Sequence, residues 1–283
     1  MKKFPIMFAL LVSFMIILAG CGTSENKANN QDNQTEENAT GGKGNASENQ
    51  DLLAEIKDEG VLTVGTEGTY PPFTFHNEKG ELTGFDVEIA REVAERLGVE
   101  AKFMETQWDA IFAGLDSERF DMIANQVGIR PDRQEKYDFS EGYITSAAVL
   151  IVNDSNNDIK AFEDINGKKS AQSLTSNYGD IAKSYGAELI GVEGFNQAIE
   201  LLAQNRADAT INDKLSFLDF KKQKPDAPVK IVATSEDASH SGLMFRKGNE
   251  TLVEEVNKAL QGMIDDGTYL EISKKWFGED VLK

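Results

Sequence analysis

Beyond residue 50 the apolar positions fall into short runs separated by stretches with helical spacing. Val61-Leu62-Thr63-Val64-Gly65 is a short apolar run and predicts a strand, and residues 73–85 predict a hairpin turning at Asn77-Glu78-Lys79-Gly80. Asp86 can cap the helix that follows, whose apolar stripe is Ile89, Ala90, Val93, Ala94 and Leu97 and whose stop is Gly98. A strand at 101–104, a helix at 109–117 and a strand at 121–125 come next. Strands alternating with helices imply an α/β fold with a largely parallel sheet.

The same pattern occurs twice. Trp108-Asp109-Ala110-Ile111 opens a stretch that runs to Gln126, and Phe195-Asn196-Gln197-Ala198 opens one that runs to Asp213. Aligned without gaps, Trp108 falls on Phe195, Leu115 on Leu202, Arg119 on Arg206, Asp121 on Asp208, Asn125 on Asn212 and Gln126 on Asp213. Each copy is an amphipathic helix, an Arg-x-Asp turn and a strand that ends in two polar residues. Two similar lobes would each present polar side chains at the carboxyl end of a strand, where open α/β sheets bind ligands. The alternative is a coincidence of ordinary helix–strand patterning.

The first 50 residues follow a different pattern. Lys2 and Lys3 precede an apolar run at 4–18 and then Leu18-Ala19-Gly20-Cys21, the form of a secretory signal peptide too short to span a bilayer. Residues 22–50 contain no Val, Leu, Ile, Met or aromatic side chain, so they predict a disordered tether with a reach of ~30 Å. The expected organisation is a signal peptide at 1–20, Cys21 and its tether at 21–50, and a first lobe starting at 51–144. A second lobe follows at 145–237. The return segment, 238–283, rejoins the first lobe, its helix carrying Leu252, Val256, Leu260, Met263 and Ile264 on one face and stopping at Gly267. That route crosses between the lobes twice and makes a hinge.

Composition narrows the chemistry. The chain holds 29 Lys and Arg against 48 Asp and Glu, a net charge of −19, and loss of residues 1–20 would remove two lysines and leave −21. This balance argues against nucleic acid and against anionic lipid head groups as partners. Cys21 is the single cysteine, and His76 and His240 are the only histidines. A disulfide within the chain is excluded, a zinc or Cys–His catalytic site has no raw material, and no metal or cofactor is expected.

The remaining candidates are binding groups. In Gly128-Ile129-Arg130-Pro131-Asp132-Arg133, Pro131 suits a first helical position, so Arg133 sits in a first turn where the helix dipole disfavours a cation. It is poised for a carboxylate, or else it is a surface arginine paired with Glu135 or Asp138. Asp213 ends a strand and can accept from an ammonium group, or it is a solvated strand end. Tyr70 and Trp108 flank a cleft or belong to the core. Ser176-Asn177-Tyr178 lies between a strand at 169–172 and a helix predicted near Gly179, where exposed N–H groups and hydroxyls would cradle a carboxylate.

Several segments carry a resemblance to a known family. They are Gly65-Thr66-Glu67-Gly68-Thr69-Tyr70, Glu105-Thr106-Gln107-Trp108, Ala124-Asn125-Gln126-Val127-Gly128, Lys136-Tyr137-Asp138-Phe139-Ser140, Ser170-Ala171-Gln172-Ser173-Leu174-Thr175-Ser176-Asn177-Tyr178 and Lys275-Trp276-Phe277-Gly278. Across residues 61–281 the chain resembles the polar amino-acid family of solute-binding proteins of ABC importers. Within that family it is most like the Gram-positive cystine-binding lipoproteins, chiefly through Glu67 and Asn125-Gln126, and Leu-Ala-Gly-Cys resembles their lipobox.

The resemblance implies a two-lobed type II periplasmic-binding-protein fold that binds an amino acid and is not an enzyme. It places Arg133 on the ligand carboxylate, Asp213 on its α-ammonium, Tyr70 and Trp108 around its side chain, Glu67 at its distal end, and Ser176 and Asn177 in a second carboxylate cradle. Gly128 stands where many relatives carry Ser or Thr, so that Asn125 or Gln126 would replace the lost hydroxyl; Thr175 stands where many have Gly. The implied ligand is L-cystine, with arginine, lysine, histidine or glutamine as alternatives. The implied partners are membrane permease subunits, and the implied state is a monomer held by Cys21 on the outer face of the cell membrane. The rival reading is a dehydratase-type enzyme on this fold, with Glu67, if buried, as general acid.

Overall fold

The structure, a computed structural model, describes residues 51–282. The signal peptide, Cys21 and the tether lie outside the described residues. Among the described residues, no helix is long and apolar enough to cross a membrane.

The first sheet has strands Glu100–Glu105, Val61–Thr66, Met122–Ile123, Met244–Arg246 and Tyr137–Phe139, in that spatial order. The first three are parallel, while Met244–Arg246 runs antiparallel to both its neighbours. The return segment therefore supplies a strand to the middle of the first sheet. Its helix Glu250–Asp266 buries Leu252, Val256, Leu260 and Met263 in the same core as Leu62, Phe85 and Ile89. Ile264, predicted for that face, is exposed instead. A residue one position after Met263 is rotated by about 100° on a 3.6-residue helix, which carries it off the stripe.

Two strands link the lobes. Ile144–Asn153 and Val229–Ser241 pair antiparallel from Ser241↔Ile144 to Val229↔Asn153, with irregularities between Ile231 and Ala233 and between Thr234 and Ala238. A chain that leaves one lobe and returns beside its own path must pair antiparallel, so the sheets are mixed and not largely parallel as predicted. Successive residues of Ile144–Asn153 face two cores: Val149 and Ile151 enter one, Ala148, Leu150 and Val152 the other. Its unbroken apolar run is that of a strand covered on both faces.

The repeated pattern is a repeated structure. Helices Trp108–Asp116 and Phe195–Ala203 begin at the aligned positions. Each is followed by a left-handed residue, Glu118 at φ 59° and Asn205 at φ 54°. Asp121 accepts from the Thr63 N–H at 3.0 Å and Asp208 from the Lys169 N–H at 2.8 Å, each aspartate pinning its own strand to a parallel neighbour. Strands Met122–Ile123 and Thr210–Asp213 then end on opposite sides of one cleft.

Asp86 is not the cap predicted for it. Helix Phe85–Leu97 starts from Gly84, at φ 131°, a conformation that favours glycine. Its first N–H groups are taken by loop carbonyls, Phe85 by Pro72 and Asp86 by Phe73. The Asp86 carboxylate is left free for a partner elsewhere.

Candidate functional site

Glu67 follows strand Val61–Thr66, and Asn125 lies just beyond the neighbouring strand Met122–Ile123. Asn125, only 1% exposed, accepts from the Glu67 N–H at 2.8 Å and from Thr66 Oγ1 at 3.2 Å, and donates through Nδ2 to Glu67 Oε2 at 2.6 Å. Withdrawal from water raises the Glu67 carboxyl from 4.5 to about 7, against the opposing pull of the Asn125 amide and the Trp108 backbone N–H.

Trp108 opens its helix and is buried, with its indole N–H unpartnered among the described residues. The Arg133 guanidinium stacks 5.6 Å from the Trp108 ring and 5.3 Å from that of Phe112. Arg133 is 7% exposed and donates to the Gly128 carbonyl at 3.1 Å. Pro131 does occupy the first position of a short helix, Pro131–Gln134. The surface-pair alternative fails: Asp138 is taken by Lys247 at 2.8 Å, and Arg133 has no ion pair among the described residues. Burial, reinforced by the neighbouring charge of Arg130, lowers the guanidinium to about 10. Leaving a buried cation unpaired costs several kcal/mol, so the position is strongly biased toward an anion.

Across the cleft, Ser176 caps helix Asn177–Ser184 by accepting from the Gly179 N–H at 3.0 Å, so this helix starts two residues before the predicted Gly179. Asp213, 2% exposed, is not a solvated strand end. It caps helix Lys214–Gln223 through the Leu215 and Ser216 N–H groups, at 2.7 and 3.3 Å, and accepts from the Tyr178 hydroxyl at 3.2 Å. Burial raises its carboxyl above the usual carboxylate range even though these donors pull it down. Like Arg133 and Glu67 it has no ion-pair partner among the described residues.

These elements enclose a cleft of ≈ 580 Å³, partly open to solvent. Glu67, Tyr70, Trp108, Asn125, Gln126, Ser176 and Asn177 line it. Gly128, Arg133 and Asp213 do not; they stand one side chain behind, Arg133 against Trp108 and Asp213 against Tyr178. Tyr178 lines the cleft beside Ser176 and Asn177, and Gln172, Phe195 and Asn212 line it without having been singled out as site residues. The internal repeat held the signal for two of them, since Phe195 answers to Trp108 and Asn212 to Asn125.

The walls are bonded to each other. The Tyr70 hydroxyl donates to Asn212 Oδ1 at 2.7 Å, Ser216 Oγ to the Pro71 carbonyl at 3.0 Å, Thr175 Oγ1 to Asp109 at 2.6 Å and Arg130 to Asp180 at 2.9 Å. Tyr70 therefore joins the lobes through its hydroxyl, while its ring packs 5.2 Å from that of Phe73. Among the described residues no group of His, Cys, Asp or Glu is arranged to hold a metal ion.

Known proteins resemble this chain in sequence and fold. The chain is 51% identical to the L-cystine-binding protein TcyA of Bacillus subtilis over 280 residues, covering 97% of this chain and 99% of that protein. The L-cystine solute receptor of Neisseria gonorrhoeae, solved in an unliganded open conformation, is 48% identical over 82% of this chain and 99% of the receptor, with a TM-score of 0.55. An ancestral arginine-binding protein bound to arginine is 38% identical over 77% of this chain and 98% of that one, yet its TM-score is 0.73. The more identical chain superposes less well; it was solved with its lobes open, whereas the lobes here are bonded across the cleft. A model of the bacterial extracellular solute-binding proteins, family 3, matches residues 62–279, and the chain belongs to that family.

Proposed function

We propose that this protein is the extracytoplasmic receptor of an amino-acid ABC importer, and that it favours L-cystine. The observation that carries this reading is the set of three ionisable groups around one cleft, Arg133, Asp213 and Glu67, which have no ionic partner among the described residues. A cation and an anion suit the carboxylate and ammonium of an amino acid, and a second anion suits a further ammonium at its far end. Cystine offers such a group at each end of a disulfide stem, and aromatic walls favour sulfur. Arg133 would reach the carboxylate past Gly128, where a Cβ would meet only the Arg133 Nη1, at 3.6 Å. The likeness to TcyA supports cystine, and the likeness to an arginine-bound protein supports arginine as its competitor.

The finer assignments belong to the same proposal. Cys21 carries the lipid that holds the protein on the outer face of the membrane, and the protein works as a monomer that docks on permease subunits. Residues 51–144 and 238–283 form one lobe and 145–237 the other. The protein is a receptor and not an enzyme; the rival, a dehydratase, draws its support from Glu67, whose carboxyl near 7 suits a general acid.

Calorimetric titration with cystine, cysteine, arginine, lysine, histidine and glutamine tests the ligand, on the wild type and on Arg133→Ala. Cystine should bind most tightly, reductant should abolish that binding, and Arg133→Ala should cost at least ~2–5 kcal/mol. Tighter binding of arginine or lysine would overturn the cystine assignment.

A further inference from the structure

Asp86 is 0% exposed and lies in the first turn of helix Phe85–Leu97, where an aspartate commonly serves its own helix. Here neither oxygen does. Oδ2 accepts from the Gln126 backbone N–H at 2.8 Å, and Oδ1 from Gln126 Nε2 at 2.7 Å. Gln126 is 40 positions away in the chain, lines the cleft and holds a left-handed backbone at φ 53°, unusual for a residue with a side chain. In its ionised form the Asp86 carboxylate only accepts hydrogen bonds, and that form dictates which end of the Gln126 amide faces it. The nitrogen is turned toward Asp86, and the carbonyl oxygen points away from it. The Tyr143 hydroxyl, buried and without a hydrogen bond of its own among the described residues, stands close to the same carboxylate.

We propose that Asp86 is a positioning residue that holds the left-handed turn at Gln126 and presents the Gln126 amide oxygen to the ligand, so that this wall of the cleft selects a hydrogen-bond donor such as an ammonium group. The assignment rests on the amino-acid receptor reading above and deepens it. It also accounts for Gly128: a wall that already offers an amide acceptor does not need a hydroxyl at that position to meet an ammonium.

The test uses Asp86→Asn, Gln126→Ala and the exchanged pair Asp86→Asn with Gln126→Glu, in the full chain. Hydrogen exchange without ligand comes first. In Asp86→Asn the Gln126 amide should exchange about tenfold faster or more, while the core amides of Val64 and Ile89 keep their protection. The exchanged pair should restore protection, because amide and carboxylate have traded places. Titration with cystine and arginine follows. Asp86→Asn and Gln126→Ala should each bind about tenfold more weakly. The exchanged pair turns a carboxylate oxygen to the ligand and should raise the ratio of arginine to cystine affinity. Unchanged exchange at Gln126 in Asp86→Asn overturns the positioning role. Restored protection with an unchanged affinity ratio overturns the claim that Gln126 faces the ligand. A wild type that binds no amino acid overturns the receptor reading instead, and the exchange data still decide the role of Asp86.

Discussion

Glu67 is partly withdrawn from water, and that withdrawal moves its carboxyl from 4.5 to about 7. The sign of the consequence follows from which form is favoured. Burial disfavours the anion, so the Glu67 contribution to stability is greatest below about pH 4.5 and falls as pH rises toward 7. Ligand binding has the opposite slope. A distal ammonium needs the anion, so affinity rises with pH through the free-state value and levels off above it. Cystine affinity should therefore fall as pH is lowered from about 7.5 to about 5.5, by up to about tenfold per unit well below the free-state value. Asp86, raised to about 7, and Asp213, also raised, titrate in the same direction. The difference between the wild type and Glu67→Gln isolates Glu67: the variant should bind more weakly at neutral pH and show a shallower acid limb. Equal slopes in the two proteins would remove Glu67 from the ligand's distal end.

At the scale of elements, the repeat shows how little sequence a shared structure requires. Each helix–turn–strand unit keeps an aspartate that accepts from the backbone of the neighbouring parallel strand, and a left-handed residue just after the helix. Asp121 accepts twice from Thr63, through its N–H and its hydroxyl, whereas Asp208 accepts once from the Lys169 N–H. Hydrogen bonds to charged groups contribute about 1.5–3 kcal/mol each. Asp121→Ala should accordingly lower the unfolding free energy more than Asp208→Ala, with denaturant midpoints as the measure. An equal loss would mean that the hydroxyl bond contributes nothing.

At the scale of the molecule, a few polar bonds join the lobes across the cleft, beside the Tyr70 ring, which packs against an apolar cluster of each. Arg130 and Asp180 are partly exposed, 31% and 48%, and such pairs contribute about 0–1 kcal/mol. Asp180→Ala should leave the fold intact and speed ligand dissociation by about two- to fivefold, with association nearly unchanged. Stopped-flow kinetics would read this directly, and an unchanged dissociation rate would show that the pair plays no part in closure. Saturating ligand should also keep the radius of gyration of the variant as small as that of the wild type, because most of the bonds across the cleft remain.

The sequence by itself determined the elements and the repeat. Strand and helix periods, the stop at Gly98 and the hairpin at 77–80 are local, and local sterics and apolar spacing set them wherever they occur. The candidate residues were legible for a related reason: polar side chains at strand ends fall at one edge of an α/β sheet. Tertiary structure decided what those residues touch. Asp86 looks like a helix cap until the loop at Pro72 and Phe73 takes the helix's first N–H groups and Gln126 arrives from 40 positions away. Asp213 looks solvated until Tyr178 and its own helix cover it. Gln172 and Tyr178 join the cleft because another lobe faces them. Hydrogen-bond partners distant in the chain, and the withdrawal of water that shifts a carboxyl, depend on which surfaces meet, and no local pattern of residues encodes that.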